Sequence, residues 1–476
     1  MPTVDFFRAR LDTMIDMNHS LVILSQRFPW SEIELILKPF FSSEVKEKKV
    51  ISVEDLFGTT DQIVGGVITK SGRPRLSIRL MVALLILKHT YNESDESVVE
   101  RWSQDVYFQY FSGCDYFEAK KPCDPTQIGR FRHAIGESGL EKILACTVNV
   151  AVAIKAVKAV ELETVIVDST VQEKAIAHPT DGRLLEIARM KLVLCAKRAN
   201  IKLKQSFQKE GKCLRFRGGG YARAKQFKRM RKVINRQRTI VGILIREIQR
   251  KMAAVSDETK AILTPWLERA QRLVSQRRAD KNKLYALHAP EVECIGKGKA
   301  RNPYEFGVKV GFAISHKKGL IVGAKSFPGN PYDGHTLAAQ IEQTNMILMN
   351  QGVTVKTAYV DLGYRKTEEE VAPTTVIHRG KVKSLTKQQR QNLKRRQAIE
   401  PIIGHIKQDH GMQRCWLKGK IGDAIHAISC AIGFNIRWLL RAIIRIGVKP
   451  FFALIFLCQL FSYQHIFHSI KNAEYA

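Results

Sequence analysis

Two short apolar runs that each lead into an aspartate most constrain the fold of this chain. They are E-T-V-I-V-D-S-T at 163–170 and K-T-A-Y-V-D-L-G-Y at 356–364, which contain Asp168 and Asp361. Their β-branched residues predict buried strands, and a strand that ends in an acid can deliver that side chain to a site at its carboxyl end. A strand-terminal aspartate often only caps a turn or a helix, so either run alone is a weak indication.

The segments around the second run complete the pattern of a sheet. Residues 304–315 and 320–327 predict a β-hairpin with its turn at 316–319, residues 337–348 a helix, and residues 374–381 a further strand. The order strand, hairpin, helix, strand, strand, helix predicts a mixed α/β fold. In such a fold, three acids from separate elements can reach one edge of the sheet.

The third acid lies in the stretch N-L-K-R-R-Q-A-I-E-P-I-I-G-H-I-K-Q-D-H, residues 392–410. At about 100° per residue, Arg396, Glu400 and Lys407 fall on one narrow helical stripe, beside an apolar stripe of isoleucines. One carboxylate between two cations suggests a metal and phosphate site, whereas an ordinary amphipathic helix with a solvated charged edge is the alternative. Pro401 predicts that a helix begins or kinks here.

The first 150 residues predict an all-α region of short helices. Residues 75–88 form a buried helix that the polar residues 92–94 interrupt, and residues 94–102 begin with a capping signature. Trp30 and Ser31 are interpreted as the lead-in and N-cap of an earlier helix, and Asp124-Pro125-Thr126 as the lead-in to another. Short helices with surface arginines fit helix-turn-helix DNA binding, and a helical dimerisation domain fits them equally well.

Residues 183–300 are predicted to form a basic helical insertion after the first strand. From 189 to 251 there are about twenty lysines and arginines against two glutamates. In 215–232, three glycines predict a hinge before cations interleaved with Phe and Tyr, a composition that favours contact with a phosphate backbone. A helical hairpin or bundle is expected, with a solvated charged arm as the alternative. The candidate DNA contacts are Arg215, Arg217, Lys228, Arg229, Arg231 and Lys232.

The net charge of +32 favours a polyanionic partner, DNA or RNA. An anionic membrane surface is the competing partner, and a basic soluble protein without either is the remaining alternative. Nine cysteines are scattered with no C-x-x-C pair, so neither a zinc ribbon nor a disulfide framework is indicated, and reduced thiols in the cytosol are expected. The N-terminus lacks the apolar core of a signal peptide.

The apolar tail at 451–467 is marginal in length for a membrane span and is interrupted by Gln459, Ser462, Gln464 and His465. A membrane anchor is therefore not expected there, and a terminal helix is favoured.

Two aspartates and a glutamate without a Ser/His or Cys/His nucleophile arrangement suit oxygen-rich coordination of Mg²⁺. Two such ions about 3.5–4 Å apart can activate a water or a 3′-hydroxyl and stabilise the leaving oxygen in phosphodiester transfer. No small-molecule cofactor is expected.

Four motifs resemble the DDE transposases of bacterial insertion sequences, in particular the group named after insertion sequence five. They are V-D-S-T, G-N-P-Y-D-G-H-T-L, Y-V-D-L-G-Y and L-K-R-R-Q-A-I-E-P-I-I-G-H-I-K-Q-D-H-G-M, and the resemblance covers about 60–450. The family's signature is Tyr, two residues, Arg, three, Glu, six, Lys. Arg396, Glu400 and Lys407 keep these intervals, whereas Leu393 stands where the tyrosine would be.

The resemblance implies a ribonuclease H-like core in which Asp168, Asp361 and Glu400 bind two Mg²⁺ ions, with Mn²⁺ as a substitute. It also implies a bacterial, nucleoid-associated enzyme that acts as a homodimer on double-stranded DNA. Such an enzyme binds the inverted ends of its element, cleaves there with metal-activated water and joins the 3′-hydroxyls to target DNA. An inactive or domesticated DNA-binding descendant, or a structure-selective nuclease, are the alternatives. Arg396 and Lys407, with His378, Arg379 and Lys381, are the expected contacts to the end DNA.

The expected domain division follows from these segments. It comprises a helical DNA-binding or dimerisation domain at 1–150, a catalytic domain in two parts at 160–182 and 301–448, the basic insertion at 183–300, and an apolar tail at 449–476.

Overall fold

The computed structural model of the chain describes residues 9–41, 53–54, 60–61, 75–277, 279–296, 303–364 and 371–473, and its side chains are described except at 53–54, 60–61, 254, 381–383 and 448–473. Two expectations fall on residues outside this description. The side chain of Lys381 and the side chains of the apolar tail from residue 448 onward are not described.

Helices dominate the described residues. The α-helices are α1 (Leu11–Met14), α2 (Ser20–Arg27), α3 (Trp30–Leu37), α4 (Ile78–Tyr91), α5 (Asp95–Trp102), α6 (Val106–Phe111), α7 (Pro125–Ala153), α8 (Asp181–Arg198), α9 (Gln208–Arg223), α10 (Phe227–Lys251), α11 (Asp257–Ser275), α12 (Asp333–Leu348), α13 (Lys387–Lys394), α14 (Ile399–Asp409) and α15 (Gly419–Ala473).

The strands fall into a two-stranded ladder and one larger sheet. They are β1 (Val53–Glu54), β2 (Thr60–Asp61), β3 (Thr164–Glu173), β4 (Glu293–Gly296), β5 (Tyr304–Ser315), β6 (Ile321–Phe327), β7 (Thr357–Tyr359) and β8 (Thr375–Ile377).

Strand β3 lies at the centre of the larger sheet. On one side it pairs antiparallel with β5, which in turn pairs antiparallel with β6 and, near its other end, with β4. On the other side β3 pairs parallel with β7, and β7 parallel with β8. The expected mixed α/β fold is confirmed in these terms.

One hydrophobic core joins the N-terminal helices to this sheet. Its buried side chains run from Leu21 in α2 to Ile443 in α15, and include both faces of the sheet region. Buried Asn435 of α15 fastens the edge strand β6, because its amide donates to the Ile321 carbonyl at 2.8 Å and its Oδ1 accepts from the Ile321 N–H at 3.0 Å. Its Nδ2 also donates to Thr147 of α7 at 2.9 Å.

A second hydrophobic core lies between helices α8, α10 and α11. Its buried side chains fall between Leu184 and Leu287, and Ile240, Leu244 and Ile248 form an apolar stripe along α10. Because these helices fill their own interior, the basic segment is a packed helical unit, as expected for a hairpin or bundle.

Local sequence signals were confirmed at several helix ends. Ser94 and Ser97 form a reciprocal capping box at the start of α5, and Asp124 caps α7 with Pro125 as its first residue. Asn92 ends α4 with a left-handed backbone, φ +57°, which Asn tolerates better than most residues.

Three local expectations were wrong. The three glycines at 218–220 lie inside α9, and the chain turns instead around Lys225, whose φ is +55°. Helix α3 begins at Trp30 after Pro29, so Ser31 is not its N-cap. Strand β3 does not end at Asp168, since antiparallel pairing with β5 carries it on to Glu173.

Among the described residues, the stretch Gly419–Gly447 of α15 is long and apolar enough to cross a membrane. The most apolar part of this stretch is 78% buried inside the protein, which is the behaviour of a core helix.

Candidate active site

The parallel pairing of β3 and β7 brings two acids to the same edge of the sheet. The last paired residues are Ile166 and Tyr359, and Asp168 and Asp361 each follow two positions later. Since β7 ends there, the Asp168 side chain has no strand beside it on that flank, and it lies partly exposed. Equal spacing beyond a shared register therefore places the two carboxylates at one edge.

Glu400 reaches this edge from the start of α14. A 3₁₀ turn at Arg395–Ala398 precedes the helix, and Glu400 and Pro401 occupy its first turn. Proline is tolerated in a first turn because its missing N–H would lack an intrahelical partner anyway. Ile399 and Ile406 are fully buried and fix the helix on the core, so that Glu400 faces outward, 61% exposed.

The guanidinium of Arg396 lies among the three carboxylates. Its Nη1 is 3.3 Å from Asp168 Oδ2, and its Nη2 is 3.8 Å from Asp361 Oδ1 and 3.7 Å from Glu400 Oε1. The Arg396 side chain is only 9% exposed, whereas Asp361 is 53% exposed. One buried cation therefore offsets the mutual repulsion of three acids that come from three separate elements.

Asp168 has the most restricted environment of the three acids. Burial raises its pKa, and the charges of Asp361 and Asp333 raise it further. The backbone N–H of Ser169, which donates to Oδ1 at 2.8 Å, and Arg396 oppose this rise in pKa. A positive charge beside Asp168 therefore favours its ionised form against the effects of burial and of the neighbouring acids.

A fourth acid, Asp333, was missed by the sequence reasoning. Its Oδ1 accepts from Ser169 Oγ at 2.9 Å and lies 3.0 Å from Lys309 Nζ. Gly363 permits this approach, because a Cβ there would stand 3.2 Å from Asp333 Oδ2. Asp333 lies in the motif G-N-P-Y-D-G-H-T-L, which contributed to the family resemblance without its aspartate being named as a site residue.

The other residues expected around Glu400 are dispersed. Lys407 is half-buried and lines a cleft beside α4 and α5, two helical turns from Glu400. His378 is buried after β8, and its Nδ1 accepts from the Gly380 N–H at 3.1 Å. Arg379 is exposed, next to the edge that carries Asp361.

The six cations expected to contact DNA in the helical unit are all exposed. Phe216 and Phe227, which are interleaved with them, are 78% and 53% exposed. Within the described part of the chain, none of the six forms a salt bridge with an acid, in contrast to Arg236, which pairs with Glu210 at 2.7 Å. This surface, called the basic arm below, comprises Arg215, Arg217, Lys228, Arg229, Arg231 and Lys232.

The carboxylate cluster fits a hard divalent cation. All its donors are oxygens, and Asp361 and Glu400 are exposed enough for an ion to reach them. The position that Arg396 takes between the acids is one where positive charge is favoured.

An α/β sheet edge with clustered carboxylates, in a chain whose helices also present exposed cations without acidic partners, defines a class of protein built to handle a polyanion. Comparisons with known proteins agree. Residues 9–134 match the family described as transposase domain (DUF772), and residues 357–440, which include Asp361 and Glu400, match the family described as transposase DDE domain. No match was found among solved structures.

A curated relative from Rhizobium meliloti, described as uncharacterized protein ORF8 in the nfe locus, is 38% identical over 223 residues. This alignment covers 47% of the present chain and 95% of the relative. The chain belongs to the DDE transposases of insertion sequences. It is accordingly a metal-dependent enzyme whose substrate is DNA.

Proposed function

We propose that the chain binds the terminal inverted repeats of its insertion sequence, cleaves phosphodiester bonds there and joins the freed 3′-hydroxyls to target DNA. The observation that carries this proposal is the convergence of Asp168, Asp361 and Glu400 on Arg396. Three carboxylates in this arrangement are suited to phosphoryl transfer by metal ions.

The proposed catalytic core is built on a ribonuclease H-like sheet. Support comes from strand order: β3 is central, the hairpin β5–β6 lies antiparallel on one flank, and β7 and β8 lie parallel on the other. In this division α8–α11 are an insertion between β3 and β5, and the N-terminal helices form a further region. The separate hydrophobic core of α8, α10 and α11 supports the insertion.

Asp168, Asp361 and Glu400 are the proposed ligands of Mg²⁺, two ions with Mn²⁺ as a substitute. Such ions supply the activation of water or a 3′-hydroxyl and the stabilisation of the leaving oxygen. Asp168 is held in place by the Ser169 N–H, and Arg396 holds all three acids in reach of one another. Lys309 and Ser169 position Asp333 behind Asp168, where its charge adds to the attraction for cations.

The DNA-holding roles are assigned by exposure. The basic arm presents six cations and two aromatic side chains to solvent, a composition that contacts the phosphate backbone with little dependence on sequence. Arg379, Lys381 and Lys407 are proposed contacts nearer the scissile bond, with Arg396 and His378 acting from buried positions. A homodimer on DNA would bring two such sites to the two ends of the element.

The testing experiment is Mg²⁺-dependent cleavage of a labelled duplex that carries the DNA flanking the gene. Wild type should cleave at the element ends, whereas Glu400→Gln should bind the same duplex and leave it intact. Lys394→Gln, two residues before Arg396 and outside the cluster, is the matched control and should cleave. Binding without cleavage by the wild type would identify an inactive DNA-binding descendant, and equal cleavage by Glu400→Gln would place the active site elsewhere.

A further inference from the structure

Three buried side chains outside the carboxylate cluster converge on a single point. They are His89 of α4 and His426 and Cys430 of α15, and one donor atom from each lies within 4.8 Å of the other two. Cys430 Sγ is 3.7 Å from His89 Nδ1 and 3.8 Å from His426 Nε2.

The fold holds these groups rigidly. His426 and Cys430 are four residues apart on α15 and therefore lie on one face of the helix. His89 is in the last turn of α4, and α4 approaches α15 closely at Gly433, where a Cβ would stand 2.5 Å from the His89 carbonyl oxygen. A side chain at 433 would push the two helices apart and separate the donors.

We propose that His89, His426 and Cys430 form a site for a borderline-soft transition metal of the zinc class. Zinc–sulfur and zinc–nitrogen bonds of about 2.3 and 2.0–2.1 Å place the donors of a tetrahedral site about 3.6 Å apart. The sulfur–nitrogen separations of 3.7 and 3.8 Å are close to this value. Imidazole and thiolate donors select zinc over the Mg²⁺ that oxygen donors prefer.

Access and a fourth ligand are available at the site. His89 and His426 line a cleft of about 640 Å³ between α4, α5 and the end of α14, through which an ion or a water can reach them. The carbonyl oxygen of Gly411 lies 3.1 Å from His426 Nε2 and is the candidate fourth ligand, which would exchange its hydrogen bond with Nε2 for a bond to the ion.

The charges around the site permit a cation. The Cys430 thiol gives up its proton to solvent as the sulfur–metal bond forms, so a divalent ion adds a single net positive charge. Lys88 and Arg132, whose charges act on both histidines, are each paired with Asp95, at 2.7 and 3.0 Å, which offsets part of their repulsion.

The bound ion would fasten three parts of the chain that are remote in sequence. It would join α4 and α15 directly and the loop after α14 through Gly411, and α14 carries Glu400. Its role is therefore structural support of the helix that brings the third carboxylate, and it is separate from the carboxylate cluster in both location and donor chemistry.

The test is the metal content and metal spectroscopy of the full-length, tag-free chain. Inductively coupled plasma mass spectrometry should find about one zinc per chain in the wild type. Replacement of zinc by Co²⁺ should give a sulfur-to-metal charge-transfer band, and Cys430→Ser should lose that band and most of the zinc. Cys146→Ser, which alters another buried cysteine of the same core, is the matched control and should retain both.

Two further arms keep the outcome decisive. Glu400→Gln should retain the zinc, because it alters only the proposed magnesium site. The zinc content therefore tests this inference independently of whether the protein cleaves DNA. Wild-type protein that takes up no zinc or Co²⁺ when either is supplied would overturn the proposal. So would a Cys430→Ser variant, folded by circular dichroism, that binds Co²⁺ with the wild-type spectrum.

Discussion

Asp168 and Asp361 occupy equivalent positions relative to two parallel strands, each two residues beyond the paired couple Ile166 and Tyr359. The strands are 193 residues apart in the chain, and register alone makes their acids neighbours. Because register and not chain distance makes the two acids neighbours, a helical unit with its own core can lie between the two strands in the sequence.

Arg396→Met should destabilise the protein when divalent ions are absent. The change leaves Asp168, Asp361 and Glu400 without a shared cation, and a loss of about 1–2 kcal/mol is expected, less than for a fully buried network because two of the acids are largely exposed. Added Mn²⁺ should then raise the Tm more in the variant than in the wild type, since the ion becomes the main source of positive charge.

Thermal unfolding with and without Mn²⁺ measures both effects of Arg396→Met. Arg395→Met is the matched control, because the Arg395 guanidinium donates to the backbone carbonyls of His316 and Lys317 and touches none of the acids. Equal Mn²⁺-induced shifts in wild type and Arg396→Met would contradict the prediction.

Lys228→Gln combined with Arg229→Gln should weaken DNA binding without regard to sequence. The slope of log K against log salt concentration is negative, and each lost phosphate contact should reduce its magnitude by about 0.9. Fluorescence anisotropy over a salt series measures this slope. Arg236→Gln in the same helix is the control, because Arg236 already pairs with Glu210. An effect as large as that of the double variant would contradict a specific role of the basic arm in DNA binding.

Stability should fall as the pH drops from 7.5 to 5.5, in part through His316. Burial lowers the pKa of His316, whose Nε2–H donates to the Asn392 carbonyl at 2.9 Å. The unfolded chain therefore takes up a proton at a higher pH than the folded chain. The stabilising contribution is complete above about pH 6.5 and is lost as the pH falls through the lowered folded pKa.

Urea unfolding at several pH values tests the role of His316. His316→Gln should flatten the pH dependence, whereas His178→Gln, at an exposed histidine, should leave it unchanged. A wild-type slope preserved in His316→Gln would assign the effect to other groups.

Asn435→Ala should cost about 2–4 kcal/mol of unfolding free energy, because it leaves the buried N–H and carbonyl of Ile321 without their side-chain partner and removes the hydrogen bond to Thr147. Thr147→Val removes only the last of these and should cost about 1 kcal/mol. Denaturant titration of both variants checks the order, and an equal loss in the two would show that Asn435 does not support β6.

Much of the fold could be predicted from local pattern. Alternation and β-branched runs located β5 and β6, and capping chemistry located the starts of α5 and α7, because both signals act within a few residues. The strand lengths were less accessible: β3 extends past Asp168 only because β5 pairs with it as far as Glu173. The glycines at 218–220 looked like a hinge, yet they lie inside α9, a helix that packs on α8 and α10.

The candidate site was likewise predictable where the signal is local and not where it depends on tertiary packing. Its three acids were named from motif and spacing, whereas the burial of Arg396 among them was not, because it depends on where a 3₁₀ turn packs. Asp333 became a site neighbour only through Lys309 and Ser169. The cluster of His89, His426 and Cys430 leaves no local signal, since 341 residues separate His89 from Cys430.

The two cores also set an order of assembly during translation. The buried residues of the second core, between α8, α10 and α11, end at Leu287. This helical unit can therefore pack while the ribosome is still making the later strands of the sheet. Asp168 waits for more than two hundred further residues before Glu400 is made, and for α15 to close the larger core. On the proposed assignment of roles, the basic arm is therefore complete in the nascent chain before the three carboxylates can come together.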